Sequence, residues 1–253
     1  MLKISIITVC YNAKNTIKHT LDSLSLQDYQ NIEFILVDGN SNDGTMDIVK
    51  SYESMFDIII SENDNGMYEA LNKGIRVANG EIIGILNSDD VFCNNNILSL
   101  IANIFNNESE LSAIIGDVAF VNESNKIIRY CSAKKWNTSK FKFGNMPPHP
   151  SFYCRKSCYN KFGYYNTSFK IAGDFELLLR FLFINHINYR YFPITIVYMK
   201  SGGLSTSGLK STLTINNEIS KAFKINNLKT TFINLYSRYF KKIFEFLPHL
   251  FSK

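Results

Sequence analysis

The chain has 253 residues, 45% hydrophobic and 19% charged, which is an ordinary globular balance and enough for one large domain with a real core. The net charge is +5, but it is unevenly placed: residues 221–253 hold seven basic residues against one acid, Glu245, and the remainder is near neutral. A near-neutral body excludes a nucleic-acid-binding surface, which needs a basic face, while the basic tail points to an anionic partner.

Lys3–Tyr11, "KISIITVCY", is a β-branched run with no periodic polar face and reads as a buried parallel strand. Asn15 is placed to cap a helix running to Gln27, with Ile17, Leu21 and Leu24 at helical spacing. Ile32–Asp38 is a second buried strand that ends on an acid. "GNSNDGT" makes a turn before a short helix near Met46–Tyr52, and "FDIIIS" is a third strand. "ENDNG" breaks it, "MYEALNKGIRVA" is a helix to Ala78, Asn79-Gly80 ends that helix, and "EIIGIL" is a fourth strand. Alternation of this kind signals a doubly wound α/β sheet with a parallel core. Ligands bind such sheets outside the carboxyl ends of the strands. The polar clusters Thr8–Asn12, Asp38–Asp43, Asn63–Gly66 and Asn87–Asp90 fall there.

The second half is less regular. "SAIIGDVAFVN" and "KIIRYC" read as a hairpin, and "MPPHPSFYCRK" as a Pro-rich entry to a strand. "AGDFELLLRFLF" opens a helix at Asp174. "YRYFPITIVYM" is a strand, placed at an edge by Pro193. Lys200–Gly208 is a flexible loop and two helices follow. In the last of them Phe232, Leu235, Tyr236, Tyr239, Phe240, Ile243, Phe244 and Leu247 form one stripe, with Arg238, Lys241, Lys242 and Glu245 opposite. That helix either lies on a membrane surface or packs on its own domain with its lysines snorkelling outward. The five cysteines lack metal-site spacing and read as reduced thiols. The N-terminus turns polar too early for a signal peptide, and no apolar run reaches the roughly 18–20 residues of a membrane span.

No G-x-G-x-x-G follows the first strand, and neither a P-loop nor a Gly-x-Ser-x-Gly elbow is present. What remains is a set of acids: Asp38, the pair Asp89 and Asp90, and Asp174. "SIITVCYN", "VDGNSNDGT", "DNGMYEALNKGI", "ANGEIIGILNSDD" and "AGDFELLLR", in this order and spacing, resemble the inverting glycosyltransferases of family two. The resemblance covers about residues 3–205. The "DNGMYEALNKG" and "MPPHP" stretches look most like bacterial enzymes that build O-antigen or capsule repeat units.

The resemblance implies a GT-A fold: a Rossmann-like, mostly parallel sheet with flanking helices. It further implies a glycosyltransferase domain over 1–205, divided into a nucleotide-sugar half (1–90) and an acceptor half (91–205). Residues 206–253 would be a helical, basic amphipathic extension. Thr8, Tyr11, Asp38, Asp64, Lys73 and Ser88 would bind the donor nucleotide, with Asp38 meeting the uracil ring. Asp89 would hold Mn²⁺ or Mg²⁺, and Asp174 would be the catalytic base. Asp90, His149, Arg180 and Lys200 are candidate contacts to acceptor or diphosphate. Two positions depart from the usual pattern: Asn87 stands where many members have Asp, and Gly173 where they often have Glu.

The chemistry fits that assignment. A departing diphosphate builds negative charge, which a hard cation on carboxylate and phosphate oxygens neutralises. A second acid must take the proton of the acceptor hydroxyl. Duller roles stand beside these. Asp38 would cap a turn with Asn40 and Ser41, Asp90 the helix over 91–105, and Asp174 its own helix. His149 would be a structural histidine and Lys200 a solvated charge.

The expected function is thus inverting, metal-dependent transfer from a UDP-sugar (UDP-Glc, UDP-Gal or an N-acetylated form). The acceptor would be a polyprenyl-diphosphate-linked saccharide, at the inner face of the bacterial cytoplasmic membrane, with a β-linked product and no nucleic acid partner. Two rivals rank lower. A nucleotide-sugar-forming nucleotidyltransferase would need a Gly-rich, basic loop after the first strand, and "CYNAKNT" has one lysine and no glycine. A non-catalytic sugar- or membrane-binding module is suggested only by Asn87 and Gly173.

Overall fold

The computed structural model describes residues 1–122, 124, 126–200, 209–231 and 234–235. Strands β1 (Ile4–Cys10), β2 (Ile32–Asp38), β3 (Ile58–Ser61) and β4 (Ile82–Ile85) pair in parallel as β3-β2-β1-β4. Every residue of β1 is buried, as an unbroken β-branched run requires of a strand covered on both faces. The strands alternate with α1 (Ile17–Ser25), α2 (Thr45–Lys50) and α3 (Met67–Val77). α1 buries Ile17, Leu21 and Leu24, the stripe read from the sequence. Its start differs. Thr16 and not Asn15 is the N-cap, and no side chain caps the helix. The Ala13 carbonyl accepts from the Thr16 and Ile17 amides instead.

Beyond β4 the sheet turns mixed. β8 (Phe152–Arg155) joins β4 antiparallel, and the order continues through β6 (Ala113–Val121), β9 (Tyr189–Lys200) and β5 (Asp90–Phe92). β7 (Ile127–Cys131) pairs with β6 as the expected hairpin. Pro193 does not put β9 at an edge, because β9 lies between β6 and β5. Proline is tolerated because β5 pairs only with Val197–Met199 and the β6 register breaks between Ile115 and Asp117, beside Pro193. Asp90 does not cap a helix either. It starts β5, and α4 (Ile97–Asn107) begins after Asn96.

Helices cover both faces. α1 and α4 bury Leu21, Leu24, Leu98, Ile101 and Phe105 on one face. On the other face are α3, α5 (Lys156–Phe162), α6 (Gly173–Leu178) with a π-turn over Leu179–Ile184, and α7 (Leu209–Ile225). α7 buries Ile219, Ala222 and Phe223 in that core, and Leu235 is buried there too. The loop 201–208 and the stripe from Tyr236 to Leu247 lie outside the described residues. All five cysteines are free. Among the described residues no helix is long and apolar enough to cross a membrane.

Candidate active site

The carboxyl ends of β1, β2 and β3 form one rim, stitched by their own loops. The Asn12 amide donates to Ser41 Oγ (2.8 Å), the Asn42 amide to Asn12 Oδ1 (3.0 Å), and the Ala13 amide to Thr45 Oγ1 (2.8 Å). Asn12 and Asn40 take left-handed backbone (φ 49° and 63°), which asparagine tolerates best among residues with a side chain. Asp38 is fully enclosed. Its oxygens accept from the Ser41 amide (3.0 Å), Ser41 Oγ (2.5 Å) and Ser61 Oγ (2.7 Å). It therefore fixes the rim, the turn role raised by its spacing to Ser41, and with no exposed surface it does not itself reach the uracil ring expected of it. Thr8 is buried, with its hydroxyl unpartnered.

The open part of the rim is built by Tyr11, Gly39 and Asp64. Tyr11 is 66% exposed. A Cβ on Gly39 would lie 2.8 Å from Asp64 Oδ2 and 3.3 Å from the Tyr11 ring, so the aromatic ring and the carboxylate converge over bare backbone. Asp64 Oδ1 accepts from the Gly66 amide at 2.8 Å, which sets its direction.

After β4 the chain reverses through Asn87–Asp90, where the Asp90 amide donates to the Asn87 carbonyl at 3.1 Å. Thr20 of α1 anchors this turn through the Asp90 carbonyl (2.8 Å). Asp90 is buried and Asp89 and Ser88 half-buried. Burial pushes the Asp89 carboxyl up, an effect opposed by the charge of Lys200. Asp90 is pushed well up, first by burial and then by the Asp89 charge. Asn87 Nδ2 donates to Asp90 Oδ2 (3.2 Å), whereas Asp90 Oδ1 is buried with no partner. Two adjacent acids with an orphaned oxygen suit a hard divalent cation. Among the described residues no three metal-binding side chains cluster, so a cation here would complete its shell with ligand oxygens and water.

Asp174 is tied to the start of α3. α3 starts at the parallel rim, and its second residue, Tyr68, reaches the segment before α6. Tyr68 Oη donates to the Ile171 carbonyl (2.6 Å) and accepts from the amides of Gly173 (2.8 Å) and Asp174 (3.3 Å). Asp174 Oδ1 accepts from the Phe175 amide at 2.8 Å. Burial raises the Asp174 carboxyl to about 6, against these hydrogen bonds. Gly173 is bare for a reason, because a Cβ there would lie 2.7 Å from the Tyr68 ring. Tyr68 stacks on Tyr165 (5.5 Å between centroids), whose hydroxyl lies 2.6 Å from His149 Nε2. Asn72, one turn beyond Tyr68, clasps the Tyr165 backbone at 2.8 and 2.9 Å. Burial lowers His149 to about 4, so its ring is neutral near pH 7 and brings no charge to an anion.

Two expected site residues are engaged elsewhere. Lys73 Nζ pairs with Glu62 (2.9 Å), donates to the Asn63 carbonyl (3.0 Å) and lies 3.7 Å from Glu69, bracing the 62–66 loop. Arg180 is a correction to the sequence reading. Its guanidinium bonds the carbonyls of Phe162, Gly163 and Tyr164 and both oxygens of Glu176, which leaves no donor for an acceptor or diphosphate. Its loss leaves Glu176, 2% exposed, as an uncompensated buried charge. Arg180→Met is therefore expected to cost roughly 3–5 kcal/mol, read from urea denaturation; a cost under about 1 kcal/mol would contradict the clamp. Sequence reasoning missed Tyr68 and Asn72, although their i, i+4 spacing within "MYEALN" puts both on one helix face.

A family model described as Glycosyl transferase family 2 matches residues 5–167. A PGL/p-HBAD biosynthesis glycosyltransferase of Mycobacterium bovis (strain BCG / Pasteur 1173P2) is 26% identical over 207 residues, covering 80% of this chain and 79% of the relative. Glycosyltransferase GlyG of Streptococcus pneumoniae serotype 4 is 33% identical over 124 residues, 48% of this chain and 40% of the relative. Among solved structures, S. aureus TarS 1-349 in complex with UDP-GlcNAc matches with a TM-score of 0.69 at 19% identity, covering 88% of this chain. The mannosyltransferase PcManGT from Pyrobaculum calidifontis, in complex with GDP-Man and Mn2+, matches with a TM-score of 0.64 at 18% identity, covering 91% of this chain. The chain spans 66% of each of those two solved chains, just under two thirds. The likeness is one of fold, the GT-A arrangement of a curled, mostly parallel sheet between helices.

Proposed function

Because the chain belongs to glycosyl transferase family 2 and is a glycosyltransferase, we propose that it transfers a sugar from a UDP-sugar to a saccharide on a polyprenyl diphosphate, with inversion. One observation carries this reading. A carboxyl raised to about 6, Asp174, is brought by Tyr68 to the rim where β1–β4 present their polar ends. A general base works best with a proton affinity near the operating pH.

The donor's uracil would lie against Tyr11 and Asp64 over Gly39, on a rim held by Asp38, with Thr8 and Ser88 shaping its floor. Lys73 would act through the 62–66 loop. The diphosphate would lie at Asp89, with Asp90 behind it and Lys200 alongside. A divalent cation, Mn²⁺ or Mg²⁺, bound there would neutralise charge that builds on the leaving diphosphate. Asp174 takes the proton of the acceptor hydroxyl as its oxygen attacks the anomeric carbon opposite that leaving group. An α-linked donor then gives a β-linked product.

The lipid-linked acceptor and peripheral membrane contact draw support from the basic residues after Lys221. O-antigen or capsule assembly at the inner face of the cytoplasmic membrane is the corresponding setting. The test combines UDP-glucose, UDP-galactose and their N-acetylated forms with anionic vesicles carrying polyprenyl-diphosphate saccharides. Release of UDP by co-sedimenting protein, with a β-anomeric product signal in NMR, is expected from one donor. Absence of UDP release from all four would sink the UDP-sugar reading.

A further inference from the structure

α7 holds none of the candidate site residues, yet one of its faces grips the segment that carries Asp174. Glu218 is 9% exposed. Its carboxylate accepts from three successive backbone amides, Lys170 (2.7 Å), Ile171 (2.9 Å) and Ala172 (2.8 Å). One turn on, Lys221 donates to the Ser168 carbonyl and hydroxyl at 2.8 and 2.9 Å and lies over the Phe169 ring. Two turns on, Asn226 Nδ2 donates to Glu176 at 3.2 Å. Glu218 and Lys221 share one side of α7, and Asn226 follows directly after its last residue, Ile225. α7 therefore splints residues 168–176 from one side while Tyr68 holds them from the other.

These contacts meet a specific need. α6 starts with Ala172 as its N-cap, and no side chain of its own caps it. Unpaired amides at a helix start need an acceptor, and a carboxylate is favoured there. Tyr68 Oη takes the Gly173 and Asp174 amides and Asp174 Oδ1 that of Phe175; Glu218, from a helix about forty residues later in the chain, takes the Ala172 amide at the N-cap and the two amides before it. An ionised group accepting several amides also fixes direction, since charge-assisted hydrogen bonds are short and strong.

We propose that Glu218 is a positioning residue for Asp174: its carboxylate, bound to the amides of Lys170, Ile171 and Ala172, fixes the backbone that aims the base. This rests on the base role proposed above. The groups facing Asp174 are Tyr68 from α3, Tyr165 from the loop before α6, and Glu218 from α7, with the Glu176–Arg180 pair one turn along α6. The two tyrosines are held protonated by burial, so Glu218 is the charged member of the first three. Burial is the main cause of the raised Asp174 carboxyl, and Glu218 adds to it.

The test is a carbon-13 NMR titration of the Asp174 carboxyl in aspartate-labelled full-length protein, assigned by its loss in Asp174→Asn. In Glu218→Gln the titration is expected to move down from the wild-type midpoint near 6, and amide exchange at 170–172 to speed up roughly tenfold or more. A merely structural contact would change exchange or melting and leave the midpoint in place, and an unmoved midpoint would overturn the proposal. Should Glu218→Gln fail to fold, Glu218→Asp keeps the charge on a shorter arm. It is expected to keep the midpoint but lose protection at 170–172; wild-type exchange there would overturn the proposal. Full transfer by Asp174→Asn would instead sink the base role itself. An inert Asp174→Asn beside an unmoved Glu218→Gln midpoint would sink the Glu218 proposal alone.

Discussion

Asp174→Asn is expected to lower sugar transfer by roughly 10²–10⁴-fold and to leave UDP binding at its wild-type strength. Asparagine matches aspartate in shape, and its amide oxygen still accepts the Phe175 amide that holds Oδ1 at 2.8 Å. What disappears is the capacity to take a proton. The wild-type kcat/KM should rise through an acid limb near pH 6, because the base must be deprotonated to work and its carboxyl is raised to about 6. Stability runs the other way. A carboxyl that binds its proton more tightly when folded subtracts stability as pH climbs from its unfolded value, ~3.9, to its folded one. Asparagine escapes that loss, so the variant should melt no lower than wild type above pH 7. Calorimetry with UDP separates binding from chemistry; transfer above about a tenth of the wild-type rate would remove Asp174 from the base role.

Asp89→Ala should abolish the metal-dependent part of UDP binding. A ligand at one hundred times its Kd stabilises a fold by about 2.7 kcal/mol, and each kcal/mol is worth about 2–4 °C in a chain of this size. Wild type with UDP and Mn²⁺ should therefore melt roughly 5–10 °C above the metal-free sample, and the alanine variant should show almost none of that shift. Without ligands the variant should be as stable as wild type or more so. Asp89 is one of the causes that push Asp90 up, and removing the like charge beside buried Asp90 relieves repulsion. A full metal-dependent shift in Asp89→Ala would return Asp89 to a structural role.

The parallel half was legible because buried strands and amphipathic helices write their periods into the chain. β1 and α1 emerged where the apolar runs placed them. Short elements fixed by distant partners were not legible. Asp90 looked like a helix cap because a helix follows, but it is drawn into β5 by pairing with Met199. Pro193 argued for an edge, yet a register break beside Gly116 lets β9 run through the interior. Arg180 stood as a candidate contact to acceptor or diphosphate, and folding surrounds it with three carbonyls and Glu176. A search for charge next to the base along the chain finds only Gly173; the charge arrives from Glu218, which no local pattern announces.

The place of β5 in the sheet also sets an order of assembly. β1 to β4 find one another within the first 85 residues, β4 alone waiting for β8 on its outer side, so the side of the crevice proposed for the nucleotide can form early in synthesis. β5, which opens on Asp90, has β9 as its sole sheet neighbour, and β9 is made about a hundred residues later. Long-range pairing of this kind forms slowly, because the intervening chain must be ordered first. The acid turn is thus among the last parts of the crevice to set, and a growing chain acquires the Tyr11–Asp64 rim before the carboxylates proposed to engage a diphosphate.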